Sequence, residues 1–228
     1  MLRFLQNLSH KAGLNHLPSL FTIPPDEMMA FTVGSGDNAA IAVSMGLMRR
    51  LSWQEQTAVL AHEISHIRHS DIRIMAFAGL AGQFTRLLSM FGQFMLLFSL
   101  PMLFVEQVVI SWPAVILLIF SPTLSSLLQL ALSRSREYNA DLSAAELTEN
   151  PEALASALAK IDKFQKSVLS RLVWPMSPRM PQSSWLKTHP PTRERIRCLL
   201  QICDDRRPTH TFPYNFEKNP YRISINRV

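Results

Sequence analysis

The chain carries only two cysteines in 228 residues, Cys198 and Cys203. Five positions apart on an expected helix, they face different directions, which argues against an intrahelical disulfide. No neighbouring His or Cys completes a thiolate metal set, so buried or surface thiols are the simpler reading. Such scarcity fits a reducing compartment rather than a disulfide scaffold. Charge is also scarce, at 18% of residues against roughly 25% in soluble domains. The deficit is local: Leu87 to Val105 carries no charge at all. Internal repeats and low-complexity tracts are absent. Met1 to Leu20 has neither the apolar core nor the cleavage site of a signal peptide. Gly34-Ser35-Gly36 lacks the lysine and the strand-loop-helix setting of a phosphate loop, which leaves a turn. The net charge is +6, but the basic residues form no stripe interleaved with aromatics, so nucleic acid is not an expected partner. Basic flanks of membrane segments account for the excess better.

Leu2, Leu5 and Leu8 recur near one face and predict a short amphipathic helix within residues 2–14. Leu20–Ile23, stopped by Pro24-Pro25, reads as a strand. Ala30–Val33 and Ala39–Val43 read as two more, joined by a turn over 34–38. Ser52-Trp53-Gln54-Glu55 is a capping box, and the helix it starts runs through Val59 and His66. From Ile74 to Leu132 the chain is mostly apolar. The nineteen uncharged residues Leu87–Val105 span about 28 Å as a helix, close to the hydrocarbon thickness of a bilayer. Gln107–Leu132 is long enough for a second crossing, broken by Pro113 and Pro122. A transmembrane hairpin over 86–132 is therefore expected, with a buried bundle hairpin as the alternative. A polar helix should follow to Asn150, which caps a further helix bearing Leu154, Leu158 and Ile161 on one face. Beyond a Pro-rich loop at Trp174–Pro181, a basic helix runs from His189-Pro190-Pro191 to about Ile202. The chain thus divides into 1–85 and 133–203 as two halves of one catalytic domain, the hairpin 86–132 between them, and an irregular tail 204–228.

The chemistry concentrates in His62-Glu63-Ile64-Ser65-His66. Residues four apart on a helix lie one above the other, so both imidazoles can reach one zinc ion. Glu63 beside them is placed to deprotonate a water. A catalytic zinc needs a third protein ligand. His69 fits poorly, because three ligands on one straight helix do not make a tetrahedron. Glu137, in Ser133-Arg134-Ser135-Arg136-Glu137-Tyr138-Asn139-Ala140-Asp141, is the stronger choice. Asp141, one turn on, can accept the free N–H of a ligand histidine. On spacing alone, Glu137 and Asp141 could equally form solvated pairs with the neighbouring arginines.

Three segments occur in order: Ala61-His62-Glu63-Ile64-Ser65-His66-Ile67, Ser133-Arg134-x-x-Glu137-Tyr138-x-Ala140-Asp141, and His189-Pro190-Pro191-Thr192-x-x-Arg195-Ile196. Together with Ala30-Phe31-Thr32 and Ala42-Val43-Ser44, they resemble the HtpX family of membrane zinc peptidases, related to CAAX prenyl proteases. The resemblance covers roughly residues 1–200. It implies an α+β, mainly α, gluzincin-type domain with a small β-sheet beside the HExxH helix and an inserted two-helix hairpin. It implies one Zn2+ per chain held by His62, His66 and Glu137, with Glu63 as catalytic base. Asp71 matches a family position with a structural role, and His189 falls in the His-Pro-Pro motif near the active site, which implies a catalytic part, steadying the transition state or orienting Glu137, with a cap-and-turn role as the alternative. Members of that family usually begin with two transmembrane helices; this chain starts close to the catalytic part and is expected to lack them.

The charges set the expected orientation. Arg68, Arg73, Arg86, Arg134 and Arg136 lie outside the pair of apolar helices and only Glu106 lies between, which puts both half-sites in the cytoplasm of an inner-membrane, multi-pass protein. The expected activity is hydrolysis of peptide bonds in misfolded or membrane proteins, in protein quality control, in contact with the lipid bilayer. The strand 39–43 is the expected place for an extended substrate to pair. A catalytically silent membrane scaffold is the alternative.

Overall fold

The computed structural model describes residues 2–103, 111–173 and 191–206. Among the described residues, ten regular elements plus a 3-10 turn follow one another. Helix α1 (Leu2–Lys11) precedes strand β1 (Ser19–Ile23), β2 (Ala30–Val33), the turn Gly36–Asn38 and β3 (Ala40–Ser44). Then come α2 (Met45–Arg50), α3 (Trp53–Arg68), α4 (Asp71–Leu103), α5 (Trp112–Thr148), α6 (Pro151–Val173) and α7 (Thr192–Arg206).

The sheet has the order β1-β3-β2. β2 and β3 form the expected antiparallel hairpin, with Phe31 opposite Ala42, and β1 runs parallel to β3. The turn depends on Gly34, whose φ is +75° and whose missing Cβ leaves room for the Asn38 carbonyl. β3 is therefore central and paired on both edges. That corrects the expectation that 39–43 would receive a substrate strand: its hydrogen-bonding groups are taken by its neighbours, and the edge beside α3 that is unpaired among the described residues belongs to β2.

The core lies between the sheet and the helices. Leu5 and Leu8 of α1, Ile41 and Val43 of β3, Leu60 and Ile64 of α3, Ala144 of α5, Leu154 of α6 and Leu199 of α7 are all buried in one cluster. Helix α3 is its axis, touching α1, β2, α4, α5 and α6. Its start is fixed as the sequence implies: Ser52 N–H donates to Glu55 Oε2 at 2.7 Å, and Glu55 N–H donates back to Ser52 Oγ at 3.4 Å. The same carboxylate takes Ser156 and Lys160 of α6 at 2.6 and 2.7 Å, so one cap residue also ties α3 to α6. Asn150 caps α6 by accepting from Ala153 N–H at 3.0 Å.

Helices α4 and α5 pack side by side as a hairpin. They are longer than the apolar stretch that suggested them, at 33 and 37 residues, or about 50 and 55 Å. The boundaries expected at 85/86 and 132/133 fall inside continuous helices, so catalytic and apolar parts share two uninterrupted backbones. Pro113 sits in the first turn of α5, where no N–H is needed, and Pro122 lies inside the helix without ending it. Pro122 removes the N–H that the Leu118 carbonyl would accept. Ser89 of α4 supplies a donor in its place at 2.5 Å, and Ser121 another at 3.2 Å. Gly92 admits Leu118 against the α4 backbone. Much of the outward surface is apolar and uncovered: Phe77, Phe84, Phe91 and Phe98 of α4, and Ile116, Phe120 and Leu127 of α5, are all exposed. Mean hydropathy reaches 1.3 in α4 and 2.0 in α5, in windows of which 11% and none, respectively, are buried. A hairpin buried within the fold does not fit those numbers.

Candidate metal centre

The capping box sets where α3 begins, and the helical period then puts His62 and His66 on one face near its C-terminal end. Their Nε2 atoms lie 3.3 Å apart. Helix α5 passes beside α3 and presents Glu137, whose Oε2 is 3.7 Å from His62 Nε2. Among the described residues, His62, His66 and Glu137 form a set whose ligand atoms all lie within 4.8 Å of one another. His69 is not in it; it caps the C-terminal end of α3.

The other nitrogen of each ring has a carboxylate beside it. His66 Nδ1 is 2.8 Å from Asp71 Oδ2, and His62 Nδ1 is 3.1 Å from Asp141 Oδ1. The bond to Asp71 places N–H on His66 Nδ1, and the carboxylate of Asp141 beside His62 Nδ1, close but not aligned as a hydrogen bond, favours N–H there too, which leaves both Nε2 lone pairs for a shared ion. Two lone pairs at that separation repel unless they share a cation. Asp71 is itself held by Arg136 at 3.3 Å. Glu63 is buried and accepts a hydrogen bond from Thr32 Oγ1 of β2 at 2.7 Å.

Arg195 of α7 closes the constellation. It is buried, grips Asp141 with two contacts of 2.6 Å, and reaches Glu137 Oε2 at 2.8 Å. Glu137 and Asp141 are therefore not solvated partners of the arginines beside them in sequence; both are buried. Four carboxylates (Glu63, Asp71, Glu137, Asp141) meet two guanidinium groups (Arg136, Arg195), an excess of two negative charges that matches a divalent cation. Burial opposes a charged His66 ring, yet its bond to Asp71 and the charges of Glu63, Glu137 and Asp71 outweigh that and raise its pKa above the ordinary value. Two imidazole nitrogens and a carboxylate oxygen form the donor set that zinc accepts, with coordination left over for water or substrate. The residues present fit the ion.

These groups open into a cleft of about 720 Å³, whose walls include Ala30–Thr32 of β2 and Leu158 and Ile161 of α6. Of the residues singled out in the sequence, the fold brings His62, Glu63, His66, Asp71, Glu137 and Asp141 together; His189 lies outside the described residues. Two residues given no role there join them, Thr32 and Arg195. The signal for Arg195 is a cation one turn before Leu199, on the apolar face of α7. Thr32 leaves no such trace, because only strand order decides which residue of β2 meets Glu63.

Comparison with known proteins follows the same lines. Residues 2–202 match peptidase family M48. A protease HtpX homolog from Polynucleobacter necessarius is 34% identical over 216 residues, covering 87% of this chain and 71% of the relative. One from Campylobacter hominis is 35% identical over 198 residues, covering 82% and 69%. One from Streptococcus equi subsp. zooepidemicus is 36% identical over 201 residues, covering 82% and 68%. Among solved structures, S. mikatae Ste24p shares the fold, with a TM-score of 0.54 and 23% identity, over 87% of this chain. The present chain spans about half of that protein, 49% of its length.

Proposed function

The chain belongs to peptidase family M48 and is a membrane-associated metallopeptidase, and from that premise we propose that it is a zinc endopeptidase whose ion is held by His62, His66 and Glu137 and whose general base is Glu63. The observation that carries the assignment is the convergence of both Nε2 atoms and the Glu137 carboxylate within 4.8 Å. When bound there, zinc supplies Lewis acidity, which makes a water acidic and polarises a peptide carbonyl.

The protein groups do the rest. Glu63 takes the proton of the attacking water and passes it to the leaving amine. Thr32 fixes the carboxylate orientation through its 2.7 Å bond. Asp71 and Asp141 hold the two imidazoles in the tautomer that presents Nε2. Arg195 keeps Glu137 and Asp141 in place and offsets their mutual repulsion. The free edge of β2 borders the cleft, so an extended substrate pairing there by backbone hydrogen bonds would lie across Glu63.

The hairpin α4–α5 is assigned to the bilayer as two crossings, because exposed apolar residues run from Phe77 to Phe98 of α4 and from Trp112 to Leu128 of α5, roughly 32 and 24 Å against a hydrocarbon core of about 30 Å. Arg73, Arg134 and Arg136 flank it on the side of the metal site, and the positive-inside rule supports a cytoplasmic location for that site. Peptide segments of misfolded or membrane proteins are the substrates such a location favours. Glu63→Gln should retain zinc and lose casein cleavage by a factor of ~10² to 10⁴ in detergent-purified protein. Cleavage undiminished in that variant, or insensitive to chelator, would overturn the assignment in favour of a silent scaffold.

A further inference from the structure

The outward surface of α4 is not uniform. Phe77, Leu80, Phe84, Leu87, Phe91 and Phe98 are exposed on a lipid-like face. Gly79, Gln83, Arg86, Met90 and Gln93 recur at steps of four, three, four and three, which confines them to a separate arc of about 80° at 3.6 residues per turn. Gln83, Arg86 and Gln93 are exposed along it, and Gly79 has open space where a side chain would be. Arg86 makes no ion pair or hydrogen bond among the described residues. The exposed apolar band begins at Phe77, so Arg86, expected from the sequence to lie outside the apolar pair, instead sits about 14 Å inside it, beyond the reach of its own side chain to the near boundary.

The same side of α5 is polar as well. Ser126 and Gln129 share one of its faces with Ser133, and Gln129 lies against Gly82 of α4. Ser133 lines the catalytic cleft together with Ile72 and Met75, which continue the α4 arc toward the metal site. A polar track thus leaves the cleft and runs along the hairpin, with a cation on it and a glycine that permits close approach. Lipid tails cannot satisfy such a track: an arginine and the Gln83 amide facing hydrocarbon are costly, and intramembrane polar groups are found against protein; Gln93 already donates to Ser89 Oγ at 3.1 Å.

We propose that this track is the seat of a membrane-spanning helix from another polypeptide, one that carries a carboxylate at the level of Arg86. Charge complementarity selects the carboxylate, Gln83 offers an amide to its backbone or polar side chains, and Gly79 sets a close crossing. The docked helix ends beside the cleft, where a segment continuing from it meets β2. The proposal rests on the assignment of α4–α5 to the bilayer, and its test separates the two. The full chain carrying Glu63→Gln is reconstituted in phosphatidylcholine vesicles with a synthetic Leu/Ala helix of about 20 residues bearing one central Asp, Asn or Leu. Association is read by energy transfer while the lipid is diluted.

The Asp helix should associate at least ~10-fold more strongly than the Asn or Leu helix, about 1.4 kcal/mol by the usual conversion. Arg86→Leu should abolish that preference, and Arg86→Glu should transfer it to a helix with a central Lys. Gly79→Leu should weaken binding of the Asp helix, whereas Phe91→Leu on the lipid-like face should not. Equal association of the three helices, or an Asp preference that survives Arg86→Leu, overturns the proposal. So does an Asp preference erased by phosphatidylglycerol, which would make Arg86 a lipid-headgroup site. Energy transfer between differently labelled copies of the chain, lost on Arg86→Leu, overturns it in favour of a second copy as occupant. A chain that fails to enter the vesicles at all sinks the bilayer assignment instead.

Discussion

Replacing Arg195 by Met removes one cation and leaves two buried carboxylates facing each other. Asp141 and Glu137 are 4% and 8% exposed, so neither can recover much hydration. Arg195 gives Asp141 two contacts of 2.6 Å and Glu137 one of 2.8 Å, and Met returns only its packing. Breaking a buried pair by removing one partner costs about 3–5 kcal/mol. For a chain of this size each kcal/mol shifts Tm by about 2–4 °C, so Arg195→Met should melt roughly 6–20 °C below the parent when measured with chelator. Two further observations give the test its direction. Adding Asp141→Asn to Arg195→Met removes the orphaned charge and should recover part of the loss, with a coupling of about 0.5–3 kcal/mol. Saturating zinc should recover another part, because a divalent ion beside Glu137 replaces some of the missing positive charge. Thermal unfolding followed by tryptophan fluorescence in detergent reads all of these. If Arg195→Met melts within a degree of the parent, or if the two substitutions simply add, Arg195 does not hold these carboxylates and its role at the site is wrong.

Other outcomes follow from separate parts of the molecule. Asp71→Asn should weaken zinc binding about 10- to 100-fold in a chelator competition, because it loosens the tautomer and orientation of His66; unchanged affinity would exclude that role. Glu55 is pushed up by burial, but Lys160, Ser156 and the Ser52 N–H outweigh this and hold its folded pKa below the ordinary 4.5. A lowered folded value means that its stabilisation is complete above pH 4.5 and fades as pH falls through the lower folded value. Glu55→Gln should therefore melt earlier near neutrality and lose less stability than the parent on acidification; parallel Tm–pH curves would contradict this. Ser89→Ala should destabilise the hairpin by about 0.6 to 1.7 kcal/mol in unfolding from mixed micelles, since the Leu118 carbonyl then keeps only Ser121 as a donor; a shift indistinguishable from zero would show that this carbonyl does not need Ser89.

Much of the architecture is decided locally and was legible for that reason. Ser52 and Glu55 mark the start of α3 within four residues, and the helical period alone then aligns His62 with His66. Pro24-Pro25 ends β1, Gly34 permits the turn between β2 and β3, and Asn150-Pro151 starts α6. Apolar length without charge announces the hairpin. The continuity of α4 and α5 through 85/86 and 132/133 was less legible, because a change from apolar to polar composition alters what surrounds a helix and not its hydrogen bonding. Pro122 misleads in the same way: its lost hydrogen bond is made good by Ser89, 33 positions away in the chain, which local pattern cannot anticipate.

The sequence by itself determined the helix that carries two imidazoles and a carboxylate, and the family motif that pointed to Glu137. Those properties repeat with the period of a helix or sit in short contiguous segments. Only the tertiary structure decided that β3 is paired on both edges while β2, among the described residues, keeps an open edge, since strand order depends on which neighbours cover which backbone groups. It alone brought Thr32 to Glu63, and Arg195 to Asp141 and Glu137 across 54 and 58 positions of chain. Such contacts exist because burying charge is costly unless opposite charge is buried with it. That balance can be struck only in three dimensions, where α3, α5 and α7 meet.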